Sequence, residues 1–152
     1  MSDKISKSIR KLTYGLTVVA ALSSLGCGGA KTPDLFAVSG QVTFQGQPVP
    51  GAKLVFIPQN EDPKSLPRDR SRGETDADGN FEMTWGADQI AGSPAGNYKV
   101  IVFAYQDLGE AHDDEITPPS LIPEKYNSPI TSGLTATVTE DDENVVNFDL
   151  SP

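Results

Sequence analysis

Residues able to do chemistry are few in this chain of 152, and they sit in short polar runs. His112 is the only histidine, in "GEAHDDE" beside Glu110, Asp113, Asp114 and Glu115. An imidazole among carboxylates is a donor set for a divalent transition metal. Donors this close along one loop do not converge on an ion without a scaffold, so a solvated acidic loop is the favoured reading. "DADGN" (76–80) spaces its oxygens like the opening of a calcium loop. An EF-hand, however, needs Gly at the sixth position and a bidentate Glu at the twelfth. Those places hold Phe81 and Ala87. Asp78-Gly79-Asn80 is better explained as a turn, because Gly accepts positive φ. A third acidic run, "EDDE" (140–143), reads as another turn. A divalent-cation-binding surface protein is thus a secondary reading, with no metal ligand assigned and no cofactor called for.

Hydrolysis through a Ser-His-acid set would have to use His112, and no Gly-x-Ser-x-Gly elbow is present. Two-carboxylate glycosidase chemistry needs a cleft, which a small sandwich of short strands scarcely offers. The expectation is a protein that is not an enzyme. Aromatic side chains suit binding instead, since they anchor partners and stack on sugars. Trp85 closes a strand at a turn, and Tyr105 and Tyr126 flank the long loop. These three are the candidate partner contacts, each set against a role at the edge of the core.

Cys27 is the only cysteine, so no internal disulfide forms. Lys4, Lys7, Arg10 and Lys11 make a basic start, and Leu12 to Leu25 make a mostly apolar run ending in small residues. That is the layout of a secretory signal. The run is shorter than the roughly 20 apolar residues of a spanning helix, and polar residues interrupt it. "SSLGC" (23–27) resembles the lipobox of bacterial lipoproteins, with Ser24 where the pattern usually has Leu. The resemblance implies cleavage before Cys27 and lipidation of its thiol; an ordinary signal cut after Ala30 is the alternative. With each buried methylene worth about 0.8 kcal/mol, two or three acyl chains anchor a small domain stably. The expected organisation is a signal peptide at 1–26, a lipidated tether at 27–35 and one domain at 36–152. Such a protein is exported across the inner membrane and held in the cell envelope, at the outer membrane or cell surface.

The whole chain carries a formal net charge of −9. Without residues 1–26 it keeps eight Lys plus Arg against twenty Asp plus Glu, a net of −12. Nucleic acid needs clustered positive charge, so it is not an expected partner. Electrostatic docking on anionic lipid headgroups is disfavoured for the same reason. The expected partners are the membrane, through the lipid, and an envelope protein or polysaccharide.

The mature chain alternates short apolar-polar runs with turn chemistry and shows no helical period. Val38, Val42 and Phe44 share one face of the first strand; Ala52, Leu54 and Phe56 share one face of the next. "GQPVPG" (46–51) is expected as a tight connection, because its prolines cannot continue a ladder. "RGETDADGNFEMTW" reads as a hairpin about Asp76 to Asn80. "NYKVIVFAY" is the most apolar strand, with Tyr98, Val100 and Val102 on one face and Ile101 and Phe103 on the other, as in a central strand. "LTATVTEDDENVVNFDL" reads as a second hairpin, with Leu134, Ala136 and Val138 facing Val146, Phe148 and Leu150. The total is about seven short strands and one core, an all-β antiparallel sandwich. About 115 residues bury roughly two thirds of their extended surface, enough for stability without a disulfide.

"VSGQVTFQGQPVPGAKLVFIPQ", "GETDADGNFEMT" and "AGNYKVIV", in that order, resemble the carboxypeptidase-regulatory-like (transthyretin-like) domain. "LIPEKYNSPITSGLTATV" is similar to the C-terminal half of small bacterial lipoproteins built on it. The resemblance spans residues 37–150 and implies a seven-stranded Greek-key sandwich of the prealbumin type. It carries over no catalytic residue: in metallocarboxypeptidases the domain is a non-catalytic appendage, and elsewhere a surface or adhesin-like module. The functional expectation is therefore a membrane-anchored envelope lipoprotein with a structural or interaction role. A carbohydrate- or peptide-binding module is the alternative.

Overall fold

A computed structural model describes residues 32–60, 69–107 and 118–152. Residues 1–26, Cys27 and His112 lie outside the described residues, as does the tether up to Lys31. Pro33–Pro152 makes one compact unit. Among the described residues no helix is long and apolar enough to cross a membrane.

The chain is all-β and builds two sheets. In order, the strands are β1 (Ala37–Phe44), β2 (Gln47–Pro48), β3 (Lys53–Pro58), β4 (Ser71–Glu74), β5 (Asn80–Glu82) and β6 (Thr84–Trp85). They continue with β7 (Ile90–Ala91), β8 (Gly96–Phe103), β9 (Leu134–Val138), β10 (Glu143–Val145) and β11 (Phe148–Leu150), with a short 3₁₀ turn at Glu124–Asn127. The larger sheet runs β7-β6-β4-β3-β8-β9. The smaller is centred on β1, with β2 and β5 along one side and β10 and β11 along the other.

Period-two alternation sets what lies between the sheets. Val38, Val42, Leu54, Phe56, Phe81, Tyr98, Val100, Val102, Ala136, Phe148 and Leu150 are all buried in one core. Phe148 stacks near Phe81 at 6.0 Å and meets Phe56 edge-on, so aromatic rings from both sheets lock its centre. β8 is central, flanked by β3 and β9. The faces expected from alternation are those observed.

The pairing differs from the expectation in three places, each for a physical reason. "TDADGN" is a tight turn, with Asp76 N–H bonded to Asn80 O at 2.8 Å, but its flanking strands are not partners. β4 pairs with β3 and β6, whereas β5 pairs with β1, so the turn carries the chain between sheets. Met83 then returns it: its N–H bonds to Val38 O, while its carbonyl accepts from Gly92 N–H. One extended run therefore serves both sheets and divides into β5 and β6. Such divisions give eleven strand segments among the described residues where seven strands were expected.

Likewise, β9 and β10 are not a hairpin. β10 and β11 lie parallel to β1, in register Val38↔Asn144 and Val42↔Phe148, so antiparallel pairing throughout does not hold. The EDDE turn crosses between sheets because Asn144 pins both ends of the crossing. Its Oδ1 accepts from Thr139 N–H at 2.8 Å, and its Nδ2 donates to Ala37 O at 3.2 Å. Finally, Gln45 and Gly46 take positive φ (54° and 75°), the geometry of a two-residue hairpin turn. Gln47 and Pro48 then pair briefly with β1. Pro48 is tolerated because β2 is an edge strand.

Candidate binding surface

The long loop is tied at its base by two-way backbone pairing. Gln106 N–H donates to Pro119 O at 2.9 Å and Leu121 N–H to Ala104 O at 2.8 Å, with Tyr105 bridged to Ser120. This pairing prolongs β8 beyond Phe103 and continues its alternation. Ala104 points into the core, and Tyr105 joins Phe103 and Ile101 on the outer face. Tyr105 is 46% exposed and Leu121 45% exposed.

Across the larger sheet the outer face continues in register. Glu74 on β4 lies opposite Lys53 on β3, which lies opposite Phe103 on β8. Glu74, Lys53 and Phe103 are shared by two adjoining depressions. One, of ≈ 690 Å³, is bounded by Tyr105, Leu121, Pro50 and Asp107. The other, of ≈ 590 Å³, extends over Val55 and Arg72 towards Gly86 and Gln89. Together they form a groove that crosses the charged pair Lys53 and Glu74 and carries Phe103, Tyr105 and Leu121 beside it. The Asn127 side-chain N–H donates to the Tyr105 hydroxyl at 3.5 Å, and the Asn127 carbonyl oxygen is buried without a hydrogen-bond partner.

Of the three aromatic residues expected at a partner surface, one lines this groove. Tyr105 does. Tyr126 does not: it is buried in the core, with its hydroxyl donating to Ser151 O and accepting from Ser151 N–H, both at 2.9 Å. Assigning Tyr126 a partner contact is corrected accordingly. Its role is to fasten the segment that follows β11. Trp85 is half-buried on β6 opposite Ser71 and Ile90, on the side of the sheet opposite to Thr84, and is not brought together with Tyr105. Lys53, Glu74 and Leu121 were not singled out from the sequence. The signal available was the outward alternation Ile101, Phe103, Tyr105; the cross-strand row needs the register of three strands.

The Asp76 carboxylate is turned inward on its own loop. One oxygen accepts from Asp78 N–H at 2.9 Å and from Asn80 N–H at 2.8 Å; the other accepts from the Asn80 side chain at 3.4 Å. The Asn80 backbone bond, above all, holds this carboxyl below the usual range. Gly79 has φ +77°, and a Cβ there would lie 2.7 Å from Val42 O, so both turn geometry and close packing demand glycine. Among the described residues no group of three or more His, Cys, Asp or Glu is arranged for a metal. The His112 loop is outside them.

No protein-family model matches the chain, and no curated protein matches it either. Solved structures give distant likenesses. A DUF3823 family protein from Parabacteroides merdae is 18% identical, over 80% of this chain and 48% of that one, at a TM-score of 0.41. The major pilin subunit of Bacillus cereus is 13% identical, over 78% and 30%, at 0.38. The dioxygenase domain of a dioxygenase carbohydrate-binding protein fusion from Streptomyces sp. SirexAA-E is 21% identical, over 81% and 84%, at 0.37. The chain thus spans about half or less of the first two. A pilin and an oxygenase do not share an activity, and fold likeness of this kind does not assign one.

Proposed function

We propose that this chain is a lipid-anchored protein of the bacterial cell envelope whose sandwich is a non-catalytic interaction module of the carboxypeptidase-regulatory-like (transthyretin-like) type. Anchoring rests on the basic start, the short apolar run and Gly26-Cys27. The family assignment rests on the order and spacing of its three motifs, and the two-sheet architecture supports it. The interaction role is carried by one observation: Tyr105 and Leu121, each nearly half exposed, bound the same depression as Phe103, Lys53 and Glu74. An apolar groove with a few placed polar groups is the ordinary form of a binding site.

Anchoring is tested by expressing the full chain with labelled palmitate and fractionating the cells. The wild type is expected to take up label and partition with membrane; Cys27→Ser should do neither. A mature N-terminus at Lys31 without lipid would overturn the anchor.

A further inference from the structure

We infer that the groove between Glu74 and Tyr105 is a binding site for a neutral oligosaccharide. The inference deepens the proposed interaction role and rests on it. Four observations point to this chemistry. First, the row Glu74, Lys53 and Phe103 crosses the outer face of the larger sheet, so the groove presents side chains from three adjacent strands. An extended peptide that adds to an edge strand would instead be read by backbone hydrogen bonds.

Second, Lys53 and Glu74 stand directly opposite each other in β3 and β4, and neither side chain takes a hydrogen bond or ion pair among the described residues. An ammonium that only donates beside a carboxylate that only accepts suits a hydroxyl pair, because each hydroxyl does both. Third, the aromatic surface is placed next to that pair. Phe103 follows Lys53 in the same cross-strand row, and Tyr105 follows Phe103 along the same face. With strands about 4.8 Å apart and about 3.3 Å per residue, the row covers about 10 Å across and about 7 Å along β8. That is the footprint of a short oligosaccharide, with the ring faces on Tyr105 and Phe103. The Tyr105 hydroxyl accepts from Asn127, which leaves its own hydrogen to donate.

Fourth, charge selects among saccharides. The chain has a net charge of −9, and three acids, Glu74, Glu82 and Asp107, line the groove against two bases, Lys53 and Arg72. An anionic polysaccharide meets a repulsive field that a neutral one does not.

The test uses the full chain in detergent micelles, titrated with cellohexaose, xylohexaose, maltohexaose and mannohexaose, and with hexagalacturonate as the anionic counter-probe. Binding is read by calorimetry. At least one neutral hexasaccharide should bind, and hexagalacturonate should not. Tyr105→Ala and, independently, Lys53→Met should each weaken that binding about tenfold or more, the scale of a central contact. Val145→Ser, exposed on the smaller sheet, should leave it unchanged. Lys53 is exposed on the surface, so its variant folds even if Tyr105→Ala does not. No binding to any neutral hexasaccharide at millimolar concentration would overturn the inference. So would equal binding of hexagalacturonate, or binding indifferent to both variants. Palmitate labelling of Cys27 is a separate readout, so failure here and failure of the anchored-module reading are distinguishable.

Discussion

Phe56 on β3 and Phe148 on β11 meet edge to face between the two sheets, with ring centroids 6.4 Å apart and planes at 90°. Phe56 is fully buried and Phe148 nearly so, and a second ring from each sheet, Tyr98 and Phe81, packs against them. Four aromatic rings therefore bridge the sandwich where no disulfide does. Phe148→Ala should cost about 3–5 kcal/mol through lost burial and the cavity left behind. A domain of this size holds only about 5–15 kcal/mol in total, so the melting midpoint should fall by roughly 10 °C or more. Calorimetric melting checks this; an unchanged midpoint would mean that the ring is not in the core.

A second contact closes the end of the sandwich. The Thr75 hydroxyl donates to Val49 O at 2.6 Å and accepts from Ala52 N–H at 2.7 Å. It is buried, and Thr75 N–H bonds Ala52 O besides. Thr75→Val keeps the volume but leaves a buried donor and a buried acceptor without partners, at about 1–3 kcal/mol each. Thr75→Ser keeps the hydroxyl and should lose much less. A larger loss for Thr75→Ser than for Thr75→Val in urea melts would show that the methyl group matters and the hydroxyl does not.

Faces were legible in the sequence because alternation is local: Leu54, Phe56, Val100 and Phe148 are inward by period two alone. Partners were not. Whether β5 pairs with β4 or with β1 depends on Met83 bonding to both sheets, and no turn signature encodes that. Asp76 to Asn80 looks the same in a hairpin and in a crossing between sheets. The parallel placement of β10 depends on Asn144 reaching Ala37 O, a contact 107 residues apart in sequence. Gly40 belongs to the same class: a Cβ there would lie within 3 Å of the Val146 backbone, which passes beside it only in the folded chain. For the binding surface, Tyr105 was legible as an aromatic residue at a strand end. Lys53 and Glu74 were ordinary charged residues until three strands came into register.

The turn at Asp76 predicts a pH dependence. Its carboxyl is held below the usual range by hydrogen bonds from the Asn80 and Asp78 backbone, so the folded state binds the proton less readily than the unfolded chain. Stability from this group is fully present above the unfolded value, about 3.9, and is lost as pH falls through the lower folded value. Wild type and Asp76→Ala should therefore differ most in melting midpoint above about pH 4 and converge towards pH 2. A difference independent of pH would assign the effect to turn geometry and not to the ionised carboxylate.

Cation binding is tested through the same turn. Both Asp76 oxygens already accept hydrogen bonds from residues 78 and 80, and a calcium ion would have to displace them. If the acidic runs only solvate their turns, millimolar calcium or zinc should raise the melting midpoint no more than sodium chloride of equal ionic strength. A true site would add about 2.7 kcal/mol at a hundredfold excess over its dissociation constant, well above that control. No excess over the salt control is expected. A metal-specific rise abolished by Asp78→Ala would place calcium at this turn. One abolished by His112→Ala would place a transition metal on the loop outside the described residues, and either result would put cation binding ahead of the proposed interaction role.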